Sequence, residues 1–134
     1  MKIALVSVGV VIALLSIALV SEPRNSETLS DNVNTQTSIT VINGELKSNK
    51  ATLLDVRTRE EFESGHIKGA ELHDSNRITS GDLPVVDKDR KIYIYCRSGN
   101  RSSESTKVLK DAGFTNVINI GGIKDVQELG GEII

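Results

Sequence analysis

At 134 residues, with 38% hydrophobic and 25% charged residues, the chain suits one folded domain plus a short appendage and excludes a wholly disordered protein. A formal net charge of −2 without a basic stripe argues against a polyanion-binding surface. Aromatic content of 3% with no Trp argues against stacking on bases, so nucleic acid is not expected as a partner.

Residues 1–20, MKIALVSVGVVIALLSIALV, carry one Lys at position 2 and no other charge. A helix of about 17–25 such residues crosses a bilayer. The segment reads as an uncleaved transmembrane anchor, or as a signal peptide cut after Ala18. Lys2 precedes the span, whereas Glu22, Arg24, Glu27 and Asp31 follow it, which directs the remainder out of the cytoplasm. A periplasmic or extracytoplasmic domain is therefore expected, held to the inner membrane through residues 3–20 if the segment is uncleaved. Residues 21–38 are polar, rich in Ser, Asn and Thr, and read as a linker.

The folded domain is expected over residues 39–134. Residues 39–42 suggest a short strand and 44–48 a helical turn. Residues 51–56, ATLLDV, read as a buried strand, and Thr58 as the cap of a helix through Phe62 that Gly65 ends. A brief strand at 69–72 is followed by a loop-rich stretch to Pro84. Residues 91–95, KIYIY, are the clearest strand. A helix over 102–112 stops at Gly113, and a strand at 116–120 leads through Gly121 and Gly122 into a last helix at 123–129. Alternating strands and helices imply an α/β domain with a central, mostly parallel sheet. Sites in such sheets gather at the carboxyl ends of strands.

The single cysteine, Cys96, sits at such an end, inside YCRSGNRS. A lone thiol in an oxidising compartment forms no intramolecular disulfide, so it is either inert and buried or chemically used. Backbone N–H groups at the start of the following helix favour its thiolate, as would the charges of Arg97 and Arg101. Gly99 lets the chain turn tightly and focus those N–H groups. A thiolate is a nucleophile.

Four segments resemble the rhodanese, or single-domain sulfurtransferase, family. They are LDVRTREEF at 54–62, GHIKGA at 65–70, CRSGNRS at 96–102 and GGI at 121–123, in the family's order and spacing. The resemblance implies a rhodanese-like three-layer α/β domain, here preceded by the apolar helix. It also implies a sulfurtransferase that moves sulfane sulfur from thiosulfate or a similar anionic donor to a thiol or cyanide acceptor through a Cys96 persulfide. Arg97, Ser98, Gly99, Asn100, Arg101 and Ser102 would bind the donor. Asp55 and Arg57 are expected as a structural pair steadying the loop, with direct substrate contact by Arg57 as the alternative. No metal or organic cofactor is implied, and a monomer is expected. His66 reads as a hydrogen-bonded structural residue, His73 as a surface residue, and Glu60, Glu61 and Glu63 as a solvated helix face.

Lys68 stands where the family often has Pro, and no Trp follows Gly122, so Val126 is expected to fill that space less fully. Rival readings are a Cys-dependent phosphatase or arsenate reductase on the same fold, and a non-catalytic redox or sulfur-binding module. Arg97, Ser98, Gly99 and Asn100 alone separate Cys96 from Arg101. Such phosphatases use a longer spacer, and the tighter loop suits one sulfur atom better than a tetrahedral phosphate.

Overall fold

The computed structural model describes residues 38–134. The apolar segment expected at 1–20, and all of the expected linker but its last residue, lie outside the described residues. Among the described residues no helix is long and apolar enough to cross a membrane.

Elements run α1 (Ile39–Lys47), β1 (Ala51–Asp55), α2 (Arg59–Glu63), β2 (Ala70–Leu72), α3 (Ser75–Thr79), β3 (Lys91–Cys96), α4 (Asn100–Asp111), β4 (Val117–Gly122) and α5 (Ile123–Glu128). The strands form a parallel sheet in the order β2-β1-β3-β4. The inner strands β1 and β3 are buried almost throughout, as expected for a parallel sheet covered on both faces.

Alternation along the strands divides the core in two. Leu54, Val56, Ile92, Ile94 and Cys96 pack with Ile78 of α3 and Leu109 of α4. Leu53, Tyr93 and Tyr95 pack on the opposite face with Ile39 and Ile42 of α1 and Val126 of α5. Helices on both faces give the three layers expected, and Val126 of α5 is fully buried.

Three local expectations need correction. The β-branched run at 39–42 is the first turn of α1, not a strand. Ile39 and Ile42 lie on one helical face and are the buried pair, so burial outweighs β propensity there. The stretch before Pro84 contains α3, capped by the Asp74 carboxylate accepting from Asn76 N–H at 2.9 Å; five residues are too few to show a period. Gly121 and Gly122 end β4 and do not form a separate turn.

The order of the sheet locates the site. From β1 the chain crosses to β2 on one side, and from β3 to β4 on the other. The two loops leaving β1 and β3 therefore diverge, and a crevice opens between their carboxyl ends. Asp55 ends one strand and Cys96 the other.

Candidate active site

Cys96 is buried, and its Sγ accepts the Gly99 N–H at 3.0 Å. Gly99 holds φ 95°, a left-handed conformation that glycine adopts without strain, and it caps α4. The loop therefore doubles back within three residues and aims its amides at the sulfur. Beneath it runs the end of β4, where Gly122 stands level with Cys96. A Cβ on Gly122 would lie 2.7 Å from Arg97 O and 3.1 Å from Ser98 Cα, so only glycine lets β4 support the loop this closely.

Burial pushes the Cys96 thiol up, but hydrogen bonds from the Ser102 hydroxyl and the amides of Ser102, Ser98 and Gly99 outweigh it. The thiol is held below its ordinary value. Ser102 is itself buried, and its hydroxyl lies 2.9 Å from Gly99 O. That hydroxyl has one proton, so it bonds the carbonyl beside a neutral thiol and turns to the sulfur when the thiolate forms. The loop thus favours an anion mainly with neutral dipoles.

Asp55 and Arg57 are buried together at the end of β1. Arg57 donates its backbone N–H to Asp55 Oδ1 at 2.9 Å, its Nε to both carboxylate oxygens, and its Nη2 to Oδ2 at 2.7 Å. Nη2 also reaches Gly65 O at 2.7 Å, closing the end of α2. Tyr95 donates its hydroxyl to Asp55 Oδ2 at 2.6 Å and accepts the Ile67 N–H at 3.1 Å. Burial, and then this bond to Asp55, push the Tyr95 phenol above its ordinary value, so it remains a donor. The geometry is that of a structural clamp, with Arg57 turned into the protein.

Glu61 departs from the solvated face expected of it. Its carboxylate takes Arg101 Nη1 at 2.7 Å and Nη2 at 2.9 Å, a bidentate pair joining α2 to the first turn of α4. Glu60 and Glu63 are exposed as expected. Glu61 also accepts the Thr58 N–H at 3.0 Å, completing a reciprocal cap. The hydrogen bond from Arg101, above other causes, draws the Glu61 carboxyl down to about 2. The Thr-x-x-Glu spacing at 58–61 signalled the cap but not the partner across the crevice. Tyr95 was the other omission; strand alternation places it on the face opposite Cys96.

Arg97, Ser98 and Asn100 are exposed around the loop. His66 behaves as expected: Nδ1–H donates to Phe62 O at 3.0 Å, and its ring stacks on Phe62 at 3.7 Å. His73 is half-buried and donates Nε2–H to Asp82 O at 2.7 Å, so it belongs to the fold more than to the surface.

A profile of the rhodanese-like domain family matches residues 38–129. The thiosulfate sulfurtransferase PspE of Escherichia coli is 32% identical over 74 residues, covering 54% of this chain and 71% of PspE. The probable adenylyltransferase/sulfurtransferase MoeZ of Mycobacterium tuberculosis is 38% identical over 74 residues, 54% of this chain but only 19% of MoeZ. The chain thus spans a small part of that longer relative. The crystal structure of the Alr3790 protein from Anabaena sp. superposes with a TM-score of 0.63 at 28% identity, covering 71% of this chain and 78% of that one.

Proposed function

The chain belongs to the rhodanese-like domain family, and from that premise we propose that it is a sulfurtransferase working through a Cys96 persulfide. The observation that carries this reading is the convergence of loop dipoles on a buried sulfur whose anionic form they favour. In the first half-reaction the Cys96 thiolate attacks the outer sulfur of thiosulfate or a similar donor. A new S–S bond forms, the donor's S–S bond breaks, and sulfite leaves with its electron pair. The persulfide's terminal sulfur is an anion, and the same amides stabilise it in place of the thiolate. In the second half-reaction a thiolate or cyanide attacks that terminal sulfur and returns Cys96 as a thiolate. Arg97, the exposed cation of the loop, would attract the anionic donor to its mouth. Export, with residues 3–20 as signal or anchor, completes the proposal.

Intact-mass measurement of the full chain after exposure to thiosulfate tests it. The expected result is gain of one sulfur atom, its loss with thiocyanate release when cyanide is added, and neither event in Cys96→Ser. No adduct, together with hydrolysis of a phosphate ester, would overturn it in favour of the phosphatase reading.

A further inference from the structure

The Glu61–Arg101 pair has a consequence for substrate choice, and it rests on the sulfur-transfer reading. Arg101 occupies the first turn of α4, directly after the loop that closes on Cys96 through Gly99. An unpaired guanidinium there would draw an anionic donor towards the sulfur. Both terminal nitrogens instead meet Glu61, whose own position is fixed by the cap with Thr58. The pair is only partly exposed, Arg101 to 32% and Glu61 to 26%, so water screens it incompletely. Because the Glu61 carboxyl titrates near 2, it is ionised throughout neutral pH and acts as a fixed counter-charge.

We infer that Glu61 sets the charge of the donor the loop accepts, by neutralising Arg101 and so penalising each negative charge the donor carries. Glu61 is a positioning residue in this account; it does not touch the donor. Removing its charge lowers the penalty in proportion to donor charge. A dianion such as thiosulfate gains twice the free energy that a monoanionic alkyl thiosulfonate gains. Both donors transfer the same sulfane sulfur, one releasing sulfite and the other a sulfinate.

Glu61→Gln is the informative variant, because Gln also serves the fourth position of the cap. For charges on the order of 7 Å apart, a water-like dielectric sets the smallest effect, about threefold per donor charge. Glu61→Gln is therefore expected to raise kcat/KM for thiosulfate by about ninefold and for the thiosulfonate by about threefold, mostly through KM. Their ratio then rises about threefold, and the rise shrinks in high salt. Arg101→Gln, which leaves Glu61 uncompensated, is expected to move the ratio the opposite way. A purely structural pair would alter both donors equally, so an unchanged ratio in both variants overturns the inference alone. Wild-type protein that takes sulfur from neither donor overturns the sulfur-transfer reading and this inference with it.

Discussion

Two loops leave neighbouring parallel strands at the same end of the sheet, and they use polar groups in opposite ways. After β1, every charge is met by another protein group: Asp55 takes Arg57 and Tyr95, and Arg57 spends its remaining reach on Gly65 O. After β3, amides and one hydroxyl converge on a single sulfur. Full charges act here as fasteners, and dipoles favour the anionic sulfur. Dipoles suit that task because they need no counter-ion and do not move when a substrate anion arrives.

The largest expected effect breaks the fastener. Asp55→Ala leaves a buried guanidinium and a buried phenol without their acceptor. Stability is expected to fall by about 3–5 kcal/mol, read as a drop in the urea midpoint. In molecules that remain folded, the pH midpoint of Cys96 alkylation should stay where it is. A midpoint that rises as far as it does in Ser102→Ala would show that the two loops do not divide the work as described.

Much of this contrast was legible in the sequence, for physical reasons that differ from place to place. KIYIYC and ATLLD announce buried parallel strands because they carry apolar or β-branched residues on both faces. The thiol between a strand end and a helix start is equally plain, since amide direction follows from chain direction alone. The role of Glu61 is not legible in the sequence, because a helix-face pattern records neighbours along the chain, and its partner lies on α4, forty residues on. Residues 39–42 carry a strand-like composition yet start a helix, because β-branched side chains fit a helix whenever its buried face is the one that needs them. The support beneath the loop was visible only as a glycine pair; the reason for it, backbone against backbone, is tertiary.

A smaller effect sharpens the other half of the comparison. Ser102 is the side chain whose hydrogen bond most favours the Cys96 thiolate, against the opposing effect of burial. Ser102→Ala removes a donor to the charged form and leaves the thiol less acidic. The pH midpoint of Cys96 alkylation should therefore move upward, with the fast thiolate reaction lost first at the acidic end of the profile. Stability should change little, because the hydroxyl's contact with Gly121 O is long, at 3.4 Å, and its nearer acceptor, Gly99 O, keeps its bond from Ser103 N–H at 3.0 Å. A midpoint that does not move would assign the effect to the amides alone.

The smallest effect lies one turn further along α4. Ser105 is fully buried, and its hydroxyl has no hydrogen-bond partner among the described residues. Thr106 beside it returns its own hydroxyl to Ser102 O at 2.7 Å, the usual way a helix satisfies such a group. Ser105 therefore carries the cost of a desolvated hydroxyl without the sulfur that gives Ser102 its use. Ser105→Ala loses no bond, removes that cost and improves helix propensity, so stability should rise by about 1 kcal/mol in urea denaturation. Sulfur uptake should be unchanged. A loss of stability would mean that this hydroxyl does find a partner, and that the inner face of α4 is more polar in its bonding than the pairings at Ser102 and Thr106 indicate.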